Sequence, residues 1–125
     1  MQIPADQIDT YSLDALAGQA VHLLCAGKFE ALAASFGYAI ALGRDPASAI
    51  EADLRSSLEA LGASLPAPCR DVQYAVRYFE PDQDLCAVVE CTLPASNGSK
   101  LLVELVVTKQ GDFAHVCLEQ ISAAV

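Results

Sequence analysis

The hydrophobic period of this chain changes once, across the proline-bearing stretch Ala63-Ser64-Leu65-Pro66-Ala67-Pro68. Before it, apolar residues recur every three or four positions, the spacing of helices that bury one side. After it they alternate with polar residues, the spacing of strands that bury one face. Proline lacks a backbone donor and blocks helix propagation, so neither pattern runs through the boundary. A chain built this way folds as α+β, with three N-terminal helices first and an antiparallel sheet last.

The helical half carries its own punctuation. Ser12 is predicted as an N-cap with Asp14 in the first turn, where an anion suits the helix dipole. Leu13, Leu16, Ala17, Ala20, Leu23 and Leu24 then form one stripe, and Gly27 supplies a left-handed stop. Lys28–Phe36 predicts a short second helix closed by Gly37. Asp45-Pro46 starts a third, an N-cap followed by proline at the first helical position. Its stripe is Ile50, Leu54, Leu58 and Leu61, its stop Gly62, and Glu51, Arg55 and Glu59 sit four apart on the outer side. Tyr38–Leu42 reads as a brief strand or extended link. Residues 1–11 show no period and are expected to form a flexible arm, leaving 12–125 as a single domain.

The second half predicts a meander of four strands, Asp71–Glu80, Leu85–Leu93, Lys100–Lys109 and Phe113–Ser122. The turns fall at Pro81–Asp84, Ser96-Asn97-Gly98 and Gln110-Gly111, all with turn-forming residues. A three-residue loop at Ser96-Asn97-Gly98 sets Val89 opposite Leu105 and Cys91 opposite Val103. One face then collects Leu85, Ala87, Val89, Leu101, Leu105 and Val107, joined by Val72, Tyr74, Val76 and Tyr78 and by Ala114, Val116 and Leu118. The register one residue off would press Glu104 against the core, which an unpaired carboxylate resists. The opposite face is mixed, with Phe79, Val88, Leu102, Val106 and Phe113 among Arg77, Glu90, Glu104, His115 and Glu119.

Helix, helix, link, helix and then a curling meander resembles the nuclear transport factor two-like, cystatin-like cone fold. Leu24-Cys25-Ala26-Gly27-Lys28-Phe29-Glu30-Ala31-Leu32 resembles the helix-glycine-helix junction near the start of such domains, and the final hairpin from Leu101 to Ile121 resembles theirs. The resemblance covers roughly residues 12–122 and implies helices packed on one face of a curved sheet. That superfamily contains isomerases, dehydratases, transport proteins and scaffolds, so fold alone selects no activity. Its enzymes hold Asp, His and Tyr side chains inside the cone. On the corresponding strand face this chain offers only Tyr74 and Tyr78.

Charge narrows the partners. Sixteen acidic against seven basic residues give a net charge of −9, which repels phosphate backbones and anionic lipid. Neither nucleic acid nor a membrane surface is expected as a partner, and a basic protein is compatible. The start Met1–Asp6 lacks the features of a signal peptide, which predicts a cytoplasmic protein. Five cysteines without a Cys-x-x-Cys, among mostly apolar neighbours, predict free thiols in a reducing compartment. Cys86 and Cys91 lie an odd number of residues apart on one strand and so cannot bridge each other.

No Gly-rich phosphate loop, nucleophile elbow or metal-ligand spacing occurs, so neither a catalytic residue, a metal nor a cofactor is expected. The leading expectation is a non-catalytic interaction module that dimerises through Arg77, Phe79, Val88, Glu90, Glu104, Val106, Phe113 and His115 on the outer sheet face. The alternative is a small hydrophobic ligand or a lyase- or isomerase-type substrate held near Tyr38, Tyr74 and Tyr78. A third, motivated by charge alone, is an acidic, immunity-type antagonist of a basic protein.

Overall fold

The computed structural model describes residues 1–80 and 84–124. Three helices, α1 (Thr10–Cys25), α2 (Phe29–Phe36) and α3 (Pro46–Leu61), cover one face of a curled antiparallel sheet. Its strands are β1 (Gln2–Pro4), β2 (Gln73–Tyr78), β3 (Leu85–Pro94), β4 (Lys100–Gln110) and β5 (Phe113–Ala124), in the spatial order β1-β5-β4-β3-β2. The expected α+β arrangement is therefore present, with one strand more than the meander of four.

Local signals explain most boundaries. Asp45 caps α3 by accepting from the backbone N–H of Ser48 at 3.0 Å, Pro46 opens the helix, and Gly62 closes it in the left-handed region at φ 63°. The start of α1 differs from expectation. Its N-cap is Asp9, which accepts from the Ser12 N–H at 3.0 Å and from the Ser12 hydroxyl at 2.7 Å. Both residue types cap well, and here the carboxylate takes the role while Ser12 becomes its donor. The helix thus begins earlier, and Asp14 falls beyond the dipole's N-terminal turn. The Tyr38–Leu42 segment is a set of turns rather than a strand, tied to the sheet by Ala39 N–H donating to the Leu118 carbonyl at 2.9 Å.

The register between β3 and β4 is the expected one, Val89 against Leu105 and Cys91 against Val103. Leu93, Leu101, Leu105, Val107, Val116 and Leu118 are fully buried beneath Leu13, Leu24, Leu32 and Ile50 of the helices. Two bulges modify the alternation. Between Leu85 and Ala87 the ladder shifts, so Leu85, expected on the inner face, lies opposite Thr108 while Cys86 packs against the core. In β5 the register jumps by one at Glu119, which turns Ile121 inward to pair with Val103. Of the expected turn at Pro81–Asp84, residues 81–83 lie outside the described residues.

Two further expectations are corrected. Residues 1–11, read as a loose arm, contain β1, which pairs Gln2–Pro4 with Phe113–His115 and sends Ile3 into the core beside Ala114. A strand this short shows one inward side chain and therefore no period. The cysteines are not all free: Cys25 and Cys69 form a disulfide, with Cα atoms 5.9 Å apart, while Cys86, Cys91 and Cys117 remain thiols. The bond joins the end of α1 to the linker before β2 across 44 residues. Such a contact is set by tertiary packing and leaves no mark in local spacing.

Candidate functional site

The sheet's outer face has an apolar row running across three strands. Val88 of β3 stands opposite Val106 of β4, which stands opposite Cys117 of β5, with Arg77 of β2 beyond Val88. Val88 is 7 % exposed, although it projects away from the helices. One step along, Glu90 and Glu104 face each other. Burial holds the Glu104 carboxyl above the usual carboxylate range, and the charges of Glu90 and Glu119 push it further the same way. Arg77 answers part of that charge, lying 3.6 Å from Glu90 with its guanidinium 5.7 Å from the Phe79 ring centre. Phe113 is 48 % exposed at the other end of the face, next to His115 on the same strand. All eight residues expected at an interface therefore share one surface.

The three tyrosines expected around a pocket do not converge. Tyr38 is buried between α2 and α3, its hydroxyl donating to Asp53. Arg44 grips the same carboxylate with two bonds of 3.0 and 3.2 Å and also donates to the carbonyls of Ala41 and Ile40. Arg44 holds Asp53 below the usual carboxylate range, with the Tyr38 bond adding to the effect. Burial, then Asp53, raises the phenol of Tyr38. This cluster ties the link before α3 to α3 itself and is fully engaged in doing so. Tyr78 is 47 % exposed and donates to the Ile8 carbonyl at 2.7 Å, within reach of the Thr10 hydroxyl at 3.2 Å. It fastens the segment before α1 to β2.

Tyr74, by contrast, lines a cavity. The space is about 280 Å³ and lies between α1, the linker and β2, walled by Gly18, Val21 and His22, by Val72 and Tyr74, and by the Cys25–Cys69 disulfide. Burial raises the Tyr74 phenol, and Cys91 and Asp14 add to that. Cys91, opposite it on β3, is pushed up to about 12 by burial, with Asp14 contributing. Asp14 is a feature the sequence reading missed. Its Oδ1 is sealed from solvent and has no hydrogen-bond partner among the described residues. The signal was its spacing: Asp14, Gly18, Val21 and Cys25 repeat at four, three and four on one face of α1. Taking Ser12 as the cap assigned Asp14 to the dipole instead.

A larger concavity of about 620 Å³ opens at the surface along α3, floored by Phe29, Leu54 and Leu58. Its rim carries the Arg55–Glu51 pair at 3.1 Å, an exposed four-apart contact. Among the described residues, no three His, Cys, Asp or Glu side chains come together as a metal ion requires. Among the described residues, no helix is long and apolar enough to cross a membrane. No family model, curated protein or solved structure matches the chain.

Proposed function

We propose that the chain is a non-catalytic interaction module of the nuclear transport factor two-like, cystatin-like cone type that pairs with a second copy of itself through the outer sheet face. The observation behind this reading is the Val88–Val106–Cys117 row. An antiparallel sheet with helices on one side normally turns a polar face to water on the other. Apolar residues at the centre of that face, ringed by charges, are the pattern of a surface that another protein covers. Twofold pairing is the commonest arrangement for soluble assemblies, and it brings Arg77 of each copy against the carboxylates of the other. The cytoplasmic setting expected from free thiols is in tension with the Cys25–Cys69 bond, a kind of link that persists in oxidising compartments.

The test is light scattering at micromolar concentration on the wild type and on Val106→Arg, with circular dichroism to confirm the fold. The expected result is a dimer that becomes a monomer when a charge enters the row. A monomeric wild type overturns the reading.

A further inference from the structure

We propose that the cavity beside Gly18 binds a small single-ring molecule that presents a hydrogen-bond donor and carries no negative charge. This site lies on the helix side of the sheet, away from the outer face, and does not depend on dimerisation.

Three observations meet there. The first is Gly18 itself. Glycine inside a helix is a poor helix former, tolerated when packing or close approach demands it. Here nothing demands it: a Cβ at this position would meet the Tyr74 hydroxyl oxygen at 3.7 Å, an ordinary contact. Alanine fits, so the missing side chain serves mainly to leave space. The second is the composition of the walls. Val21, Val72, the disulfide and the Tyr74 ring give an apolar surround, while the Tyr74 hydroxyl and His22 give a few convergent polar groups. That mixture is the general character of small-molecule sites. At about 280 Å³ the space falls just under the range of roughly 300–1,000 Å³ typical of drug-sized ligands, which selects one ring rather than a fused system.

The third observation sets the charge. Asp14 lies one helical turn before Gly18 with an oxygen that is buried and unpartnered among the described residues. A negative group beside the cavity, on a chain of net charge −9, disfavours an anionic guest and favours one that donates. The Tyr74 hydroxyl, which can accept, lines the space and can take that donor.

The experiment is an amide-resolved NMR titration with phenol, benzylamine and benzoate as probes. Wild type is expected to show saturable shifts at Gly18, His22 and Val72 with phenol or benzylamine, and binding of benzoate at least about tenfold weaker. Tyr74→Phe should weaken phenol about three- to tenfold, the worth of one hydrogen bond. Gly18→Leu, which fills the space, should abolish saturation, while Gly18→Ala should stay folded and bind. Should Gly18→Leu fail to fold, the Tyr74→Phe loss and the benzoate discrimination decide the matter. Shifts that never saturate, that centre on the outer sheet face, that survive unchanged in Tyr74→Phe, or that favour benzoate overturn the proposal.

Discussion

Glu90 and Glu104 stand directly opposite one another on adjacent strands, carboxylate against carboxylate, with one guanidinium, that of Arg77, within 4 Å of Glu90. Like charges in facing positions oppose strand pairing, so the ladder tolerates this pair rather than drawing strength from it. Glu104→Gln should therefore stabilise the fold by about 0.5 kcal/mol in urea unfolding at neutral pH. The pH dependence follows from its raised pKa. The native state holds the proton more tightly than the unfolded chain, so the penalty is present above the raised value and gone below the ordinary 4.5. The advantage of Glu104→Gln should shrink to nothing across that window, and an advantage that persists below it would assign the effect to packing.

Thiol titration of the denatured, unreduced protein should find three free cysteines, Cys86, Cys91 and Cys117. Closing a loop between residues 44 apart stabilises a fold by about 2–4 kcal/mol. Cys69→Ser, or reduction of the wild type, should lower the unfolding free energy by that amount. Five titratable thiols would show the bond absent from the protein in solution.

Asp53→Ala should cost about 2 kcal/mol, because the buried Tyr38 hydroxyl loses its acceptor and Arg44 its carboxylate. Asp53 is held below its ordinary 3.8, so its contribution is whole above that value and fades as pH falls through the lower folded-state pKa. The gap between wild type and variant should narrow in acid below about 3.8. A gap independent of pH would mean that the ion pair adds nothing beyond packing.

Gly18→Ala should raise stability by about 1 kcal/mol, the difference in helix propensity between the two residues, since the added methyl meets only an ordinary contact. The measurement is the urea midpoint at constant slope. A loss of stability would show that α1 needs closer approach to Tyr74 than the 3.7 Å contact implies.

The legible parts of this molecule are those governed by short-range rules. Asp45-Pro46 and Gly62 delimit α3 because capping chemistry acts within a turn, and the β3–β4 register follows from a loop length and one forbidden carboxylate. Illegible parts depend on contacts between distant segments or on a single extra residue. The β5 bulge at Glu119 reverses the facing of everything after it, so strict alternation sends Ile121 outward when it is buried. Cys25 meets Cys69 only once α1 and the linker are docked. The candidate sites divide the same way. Outer-face residues were recoverable from alternation, whereas Tyr38, Tyr74 and Tyr78 share a residue type and not a place. Asp14 was misassigned because two adequate caps, Asp9 and Ser12, lay three residues apart.

The order of the strands bears on how the sheet could grow. At one end β5 is shielded twice, by β1 along Phe113–His115 and by Ala39 at Leu118. At the other, β2 ends the sheet and turns one side of its backbone outward. The outer edge at the β5 end is the three-residue β1, too short to template a further strand, so the six-residue β2 is the edge open to strand addition and the sheet is monovalent for it. Two copies meeting edge to edge would exhaust that valence and stop, whereas a sheet open at both ends could add copies without limit and build a fibre. Unpinning the three residues of β1 would therefore change the polymer chemistry of this protein more than its fold, by giving each copy a second place to bind.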